Sequence, residues 1–177
     1  MTARLHVASS SALRPDGAHD AVVLVAPSPS SPIPRSLRPA ISVAAAVDAT
    51  LDAGVHLLVT DLAPGRRLIF SATGPLGGDV HDVRSVAEAA GRGLVRARDA
   101  GARRPVLVLA GMPSSKPFSN ALEVGALGAL GALWQPLEAR EAVGEAVVEP
   151  VESIALLVPG DVDGDALVKR VQGLDDA

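Results

Sequence analysis

The sequence predicts an α/β domain built on a mixed β-sheet. Short aliphatic runs bounded by Gly, Pro and Asp alternate with longer amphipathic stretches, which is the order that βαβ units produce. Two of the β-type runs are separated by only a few turn-forming residues and predict an antiparallel hairpin. The length of 177 residues suits one domain better than two. Because the hairpin adds an antiparallel pair to otherwise parallel strands, we expect the sheet to be mixed.

The first part of the chain contains two predicted strands, a loop and a helix. Arg4–Ala8 and Ala21–Ala26 are aliphatic enough to be short buried strands. Segment 27–39 is rich in Pro and Ser, which predicts an exposed loop or a locally extended connector. A helix is predicted over 41–52, since this stretch sorts into apolar and polar faces, and Gly54 provides a natural end.

The middle of the chain contains the hairpin and the longest helix. Strands are predicted over 55–60 and 66–72, joined by a turn that contains Pro and Gly. A helix is predicted to begin after an N-cap at Asp79 and to run to about residue 100, before Gly101. The remaining predicted elements are a strand over 106–110 opened by Pro105, a helix over 120–133 whose small residues allow close packing, a strand over 151–158 and an amphipathic helix over 161–174.

The composition excludes several classes of function. There is no cysteine, hence no disulfide, thiolate nucleophile or cysteine zinc site. Only 2% of residues are aromatic and the net charge is -4, so the chain offers little for stacking bases and we expect no nucleic acid partner. The longest apolar run, Ala21–Ala26, is too short to cross a bilayer, so we expect no membrane partner and a cytoplasmic location. One basic cluster is interpreted as complementing a helix C-terminus: Arg96, Arg98, Arg103 and Arg104.

The four histidines, His6, His19, His56 and His81, are the candidate metal ligands. None of them has a partner at the spacing of a metal site. His81 adjoins Asp82, but adjacent side chains on a helix diverge by about 100° and do not easily grip one ion. We therefore predict no metal site and interpret His81 as a solvated residue of the first helical turn.

Two glycine-containing loops are candidates for phosphate binding. In segment 111–116 a Lys follows a strand, but Ser115 stands where a P-loop requires Gly, and Pro117 where it requires Ser or Thr. The loop from Gly74 to Asp79 precedes a helix, where backbone N–H groups can bind an anion. Asp79 would repel that anion and accept from the same donors. We interpret both as structural loops and predict no cofactor-binding residue.

The sequence contains no recognisable catalytic constellation. Ser71, His56 and Asp61 lie near the predicted hairpin, but no Gly-x-Ser-x-Gly elbow exposes the serine. The alternating acids near the end of the chain are unlike a calcium loop, because Gly164 is out of place and no Glu closes the pattern. The other acidic candidates are interpreted as solvated faces or helix caps: Glu138, Glu141, Asp161, Asp163 and Asp165. We therefore predict no catalytic residue in this chain.

Three segments together resemble a known family. Residues 67–76 read Arg-Leu-Ile-Phe-Ser-Ala-Thr-Gly-Pro-Leu, 82–84 read Asp-Val-Arg, and 101–109 read Gly-Ala-Arg-Arg-Pro-Val-Leu-Val-Leu. With Asp79, this order of strand, loop, helix and basic turn into a second strand resembles the N-terminal domain of M17 leucine aminopeptidases, the cytosol aminopeptidases. The closest likeness is to an animal branch of that family. The resemblance covers about residues 55–172 and includes no catalytic motif.

The resemblance implies a macro-domain-like mixed sheet flanked by helices on both faces, in a three-layer sandwich. In that family a separate C-terminal domain holds two divalent metals, zinc, manganese or magnesium, and releases N-terminal amino acids from peptides. The enzymes are homo-hexamers. The family's Asn-Thr-Asp-Ala-Glu-Gly-Arg motif is not found here, so no catalytic residue is carried over. We expect residues 1–177 to be one non-catalytic N-terminal domain, whose segment 161–174 begins the helix that joins it to its partner, the catalytic domain.

Two other interpretations of the sequence remain open. The likeness to macro domains suggests a module that binds ADP-ribose or a nucleotide, for which the diphosphate loop would have to be Gly74 to Asp79, with its unfavourable charge. The third interpretation is a stand-alone interaction domain that acts on an aminopeptidase assembly.

Overall fold

The structure is a computed structural model that describes residues 3–77, 82–134 and 151–173. Short 3₁₀ turns cover Ser10–Leu13, Pro64–Arg66 and Lys116–Phe118. The strands are Arg4–Ala8 (β1), Ala21–Ala26 (β2), Val55–Val59 (β3), Arg67–Ala72 (β4), Pro105–Leu109 (β5) and Ser153–Leu157 (β6), and the α-helices are Arg38–Val47 (α1), Val83–Asp99 (α2), Ala121–Gly131 (α3) and Gly164–Gln172 (α4).

The described strands form one six-stranded sheet in the order β1-β6-β5-β2-β4-β3. All neighbouring strands are parallel except β3 and β4, which pair antiparallel with Val55 opposite Ser71 and Val59 opposite Arg67. The predicted hairpin and the predicted mixed sheet are both confirmed. The continuous aliphatic sequence of β2 fits its central place, where all of its residues are buried.

Helices cover both faces of the sheet, as the expected three-layer sandwich requires. On one face, Val23 of β2 and Leu94 of α2 belong to a core that also includes residues of α3 and α4. On the other face, Leu24 and Phe70 form a second core with Ile41 of α1. After β2 the chain moves across the sheet toward β3, and after β4 it moves back toward β5 and β6. Right-handed crossovers in opposite directions place their helices on opposite faces, which is why α1 lies on one face and α2 and α3 on the other.

The helices α2 and α3 approach closely through glycines. A Cβ atom at Gly128 would overlap the backbone of Ala87, and a Cβ at Gly91 would lie 3.1 Å from the carbonyl oxygen of Gly128. The close packing expected from the small residues of the helix predicted over 120–133 is therefore confirmed. The helix itself is slightly shorter, Ala121–Gly131.

The first helix begins and ends earlier than predicted. The prediction of 41–52 is wrong at both ends, because α1 spans Arg38–Val47. Pro39 lies in the first turn, where a proline costs no hydrogen bond and its fixed φ suits the helix. The carboxylate of Asp48 ends the helix by accepting hydrogen bonds from the backbone N–H and the hydroxyl of Thr50, at 2.8 and 2.7 Å.

The long helix begins later than predicted. Its N-cap is Asp82, whose side chain accepts a hydrogen bond from the backbone N–H of Arg84 at 2.8 Å, so the prediction of Asp79 is wrong. Asp79 itself lies outside the described residues. The predicted end is confirmed, since Gly101 follows α2 with a positive φ of 84°.

The Pro/Ser-rich segment predicted over 27–39 is only partly an exposed loop. Ile33 and Leu37 are buried in the core beneath α1, and Pro39 already belongs to that helix. The serines satisfy one another locally, with the backbone N–H of Ser28 donating to the Oγ of Ser31 at 3.0 Å. The segment is therefore an ordered connector that carries two core residues.

Candidate functional site

The carboxyl ends of the parallel strands are the first place to look for a site, because ligands of open α/β sheets bind where the chain changes direction across the sheet. Here that point lies between the neighbouring strands β2 and β5. The segments that follow these strands pack on each other. A Cβ atom at Gly111 would lie 2.8 Å from the Cβ of Ser31 and 3.3 Å from the Cδ of Pro32. The connector after β2 thus occupies the space directly above Gly111.

The candidate phosphate loop over 111–116 has a structural role. It leads into the Lys116–Phe118 turn, and the ring of Phe118 is buried in a small cluster with Val86 and Ala121. Ser119 donates its hydroxyl to the carbonyl oxygen of Lys116 at 2.9 Å, which closes the turn. The loop therefore anchors the start of α3 against α2.

The loop after β4 was the second anion candidate, and the structure describes its first part. The backbone N–H of Thr73 donates to the carbonyl oxygen of Ala26 at 3.0 Å, and the Thr73 hydroxyl donates to the carbonyl oxygen of Gly74 at 2.8 Å. Gly74 and Gly77 have positive φ values and open space around them. The carboxylate of Asp82 occupies the N-terminus of α2, where the backbone N–H groups that could bind an anion are located.

Asp82 is well suited to remain ionised. Hydrogen bonds from the backbone and side chain of Arg84 lower the pKa of the Asp82 carboxyl group below its ordinary value. A carboxylate at this position satisfies an N-terminal donor and adds negative charge. The structure thus replaces the predicted Asp79 with Asp82 as the group that disfavours an anion here.

Two of the four histidines come together in the structure. The rings of His6 and His19 stack with their centroids 5.9 Å apart, a pairing that their separation in sequence did not reveal. Burial lowers the pKa of His6, and the neighbouring charges of His19 and Arg4 lower it further. His56 lies elsewhere, and His81 is outside the described residues. Within the described ranges, no three His, Cys, Asp or Glu side chains come close enough to hold a metal ion.

Ser71, His56 and Asp61 do not meet. Ser71 lies opposite Val55, so its side chain and that of His56 point to opposite faces of the sheet. The Ser71 hydroxyl is buried and donates to the carbonyl oxygen of Ala89 in α2 at 2.7 Å. The ring of His56 hydrogen-bonds the carbonyl oxygen of Ala53 at 2.8 Å, and Asp61 pairs with Arg66 at 2.7 Å. Each group is occupied by a local structural contact.

Asp20 is the polar junction that sequence reasoning missed. Its carboxylate accepts hydrogen bonds from the backbone N–H groups of Arg103 and Arg104 at 2.8 and 2.9 Å. Its carbonyl oxygen accepts from the guanidinium of Arg67 at 3.2 Å. The junction ties together the starts of β2, β4 and β5. The only sequence signal was an Asp directly before a buried strand.

The interpretation of the basic cluster is confirmed for Arg96 and Arg98, which lie in the last turn of α2. Arg98 pairs with Asp99 at 3.0 Å, and Arg103 pairs with Glu152 at 3.2 Å. Of the acidic candidates, Asp163 is the N-cap of α4 and accepts from the backbone N–H of Ala166 at 3.0 Å. Glu138 and Glu141 lie outside the described residues.

A groove with a volume of about 850 Å³ lies against α2 and α3. Gly91, Gly128 and Val95 form part of its apolar lining, and Val55 closes it toward β3. Arg92 at its rim donates to the carbonyl oxygen of Ala72 at 3.3 Å.

None of the described helices is both long and apolar enough to cross a membrane.

Comparison with known proteins relates the chain to aminopeptidases. It is 36% identical over 112 residues, 63% of the chain, to a Caenorhabditis elegans protein described as a “putative aminopeptidase”, and it covers 20% of that protein. A mutant tomato leucine aminopeptidase matches 97% of the chain with a TM-score of 0.64 at 14% identity, over 35% of its own length. The alphavirus P23pro-zbd structure matches 98% of the chain with a TM-score of 0.53 at 11% identity, over 24% of its length. No model of a known protein family matches.

These comparisons confirm the resemblance stated from the sequence. The chain is similar in sequence to an aminopeptidase, and its mixed sheet with helices has the fold of the N-terminal region of a leucine aminopeptidase. The chain spans about a fifth of the length of the curated relative that it matches.

Proposed function

We propose that the chain serves as the non-catalytic N-terminal domain of a leucine aminopeptidase-type protein, with a role in assembly or regulation. The observation that carries this proposal is the 36% identity over 112 residues to a protein of which the chain covers only 20%. The fold supports it, since 97% of the chain matches 35% of a leucine aminopeptidase structure.

The contacts of the polar candidates support a structural role for them. Asp20 bonds two backbone N–H groups, and Asp82 and Asp163 each cap a helix. Ser71 uses its buried hydroxyl to fix α2 on β4. Groups committed in this way contribute to stability, and using them in chemistry would break the contacts that position the strands and helices.

We place the two divalent metals implied by the family in a partner catalytic domain. The donor set of the described residues does not fit such a centre, because no three potential ligands come together there. No catalytic step is therefore derived from this chain. Its proposed partners are that catalytic domain and neighbouring subunits of the same assembly.

Hydrolysis of leucine p-nitroanilide in the presence of Mn²⁺ tests the non-catalytic role. The purified chain is expected to give no turnover, with a complete leucine aminopeptidase as the positive control. Activity that persists through purification and disappears on changing a residue of this chain would overturn the proposal. Sequencing the transcript beyond Ala177 is a second test, since we expect the reading frame to continue into a metal-binding domain.

The competing ADP-ribose-binding function has one observation in its favour, the open space around Gly74 and Gly77 before α2. The Asp82 carboxylate at the same helix start opposes it. Thermal unfolding with ADP-ribose decides between them, because a ligand at 100 times its Kd stabilises a protein by about 2.7 kcal/mol. We expect no shift at millimolar ligand, and a saturable shift would establish the competing function.

A further inference from the structure

The strand β3 lies at one edge of the sheet and leaves half of its backbone groups pointing outward. The backbone N–H of Ala72 donates to the carbonyl oxygen of Gly54, and that of Thr60 donates to the carbonyl oxygen of Arg66. In the β3-β4 register these residues belong to the hydrogen-bonded pairs, so the intervening residues have N–H and C=O groups directed away from β4. The outward residues are Val55, Leu57 and Val59.

Apolar space lies on both sides of this open edge. Toward α1 there is a groove of about 430 Å³ whose lining includes Ala40, Val43 and Leu58. On the other face, Val55 lines the groove beside α2 together with Val95. Side chains of an added strand would alternate between these two faces. The edge therefore fits an extended segment that is apolar on both sides.

The strand carries none of the usual devices against edge pairing. It has no Asp, Glu, Lys, Arg or proline among Val55–Val59, and it contains no bulge in its register with β4. Its one titratable side chain, His56, lies 3.4 Å from the carboxylate of Asp48. Val59 is 72% exposed although it is β-branched and lies within the strand. Two valines of α1 are exposed as well, Val43 at 69% and Val47 at 83%.

We infer that a second copy of this chain adds its own β3 to this edge, antiparallel and about a two-fold axis at Leu57. The outward residues are symmetric about that position, so Leu57 faces its own copy and Val55 faces the partner's Val59. Such a pairing forms about six backbone hydrogen bonds, two for each facing pair. It joins two sheets into one and brings the exposed valines of the two α1 helices to the same face.

The charges beyond the ends of β3 favour the antiparallel orientation. Asp48, which pairs with His56 at 3.4 Å, and Asp52 lie before the strand, and the ion pair of Asp61 and Arg66 lies after it. Antiparallel pairing sets the acidic end of one copy beside the end that contains Arg66 in the other, whereas parallel pairing would place acid beside acid. Because β3 contains no Asp, Glu, Lys or Arg, and His56 would lie opposite Leu58 of the second copy, no like charges face each other across the pair.

This inference deepens the assembly role proposed above and rests on it for its biological purpose. Sedimentation velocity of the 177-residue chain from about 1 µM to about 1 mM tests it, a range that brackets a weak dimer. We expect concentration-dependent dimers. Val59→Lys should weaken association at least about tenfold, since it places a cation opposite the partner's Val55. A monomer at every concentration would overturn the inference while leaving the hydrolysis test unaffected.

Two further variants separate pairing from folding. Val59→Pro removes an outward N–H without removing a bond to β4, and should also abolish the dimer. Val162→Lys makes the same exchange at an exposed valine beyond β6 and should dimerise like the parent. Far-UV circular dichroism checks that all three variants fold. A dimer that persists in Val59→Lys, or that is lost equally in Val162→Lys, contradicts pairing through β3.

Discussion

The two edges of the sheet, β1 and β3, are built in opposite ways. Strand β1 carries Arg4 and His6, and other parts of the chain pack against it. A Cβ atom at Gly164 of α4 would lie 2.8 Å from a methyl of Val7, and the ring of His19 stacks on that of His6. Strand β3 has no Asp, Glu, Lys or Arg, and its last residue, Val59, is largely exposed.

The two edge strands of one sheet therefore differ, and an open, uncovered edge is not a general feature of this fold. Exposed edges promote association, and proteins protect them with charge or with cover. Within β1 the chain places the charged Arg4 and packs His19 against His6, whereas β3 contains no Asp, Glu, Lys or Arg. The contrast between the two edges supports a role for the exposed edge of β3 in association. It can be tested by substitutions that weaken the contacts made by β1.

The largest expected effect comes from Gly164→Val, which adds a side chain where α4 contacts β1. The ideal Cβ already lies 2.8 and 3.0 Å from the two methyls of Val7, and 3.4 Å from a methyl of Val158. Overpacking of this kind should lower the free energy of unfolding by about 3 kcal/mol, measured by urea denaturation. Hydrogen exchange should rise at β1 and remain unchanged at β3.

Gly131→Val is the matched control for this substitution. Gly131 ends α3, and nothing lies within 4 Å of the Cβ that a side chain would add. We expect its free energy of unfolding to stay within about 0.5 kcal/mol of the parent, as for other surface positions. Equal losses in the two variants would show that the effect arises from replacing a helical glycine and not from contact with β1.

A smaller effect is expected from Asp20→Ala, which releases the segment whose His19 stacks on His6 of β1. The change removes the acceptor for the N–H groups of Arg103 and Arg104 and loosens the neighbouring His19. We predict a loss of about 1–2 kcal/mol in the free energy of unfolding, because both hydrogen bonds are exposed to solvent and each contributes toward the low end of the usual range of about 0.5–1.5 kcal/mol. Exchange should increase at β1 more than at β3.

Asp16→Ala is the control, because Asp16 lies exposed in the same segment. Its free energy of unfolding should match that of the parent chain. If Asp20→Ala loosens the two edges equally, the junction stabilises the sheet as a whole and gives β1 no special protection.

Local features of the sequence predicted most of the fold. The bounds of β2 follow from a continuous aliphatic run, and the hairpin follows from the Pro-Gly turn. The start of α2 was missed because Asp79 and Asp82 are both suitable caps, and the choice between them depends on the backbone that precedes the helix. Propensity alone does not contain that information.

Contacts between distant residues were the part that sequence could not supply. Asp20 and Arg104 are 84 positions apart, and only the parallel pairing of β2 with β5 brings them together. The stacking of His6 on His19 likewise depends on how the intervening segment returns to the sheet. For the candidate site, the sequence pattern identified the two glycine-containing loops. Their packing, such as that of Gly111 against Ser31, depends on which strands are neighbours in the sheet.

The smallest expected effect is a dependence of the β1 edge on pH. Burial, then the charges of His19 and Arg4, lower the pKa of His6 below its ordinary value of 6.5. The unfolded chain therefore binds a proton at His6 more readily, so stability from this group is present above pH 6.5 and is lost as the pH falls below it. Urea denaturation at about pH 7.5 and about pH 5.5 should show a loss on acidification that is smaller in His6→Gln and intermediate in His19→Gln. An identical loss in all three proteins would mean that the acid sensitivity arises elsewhere and that His6 does not couple the β1 edge to pH.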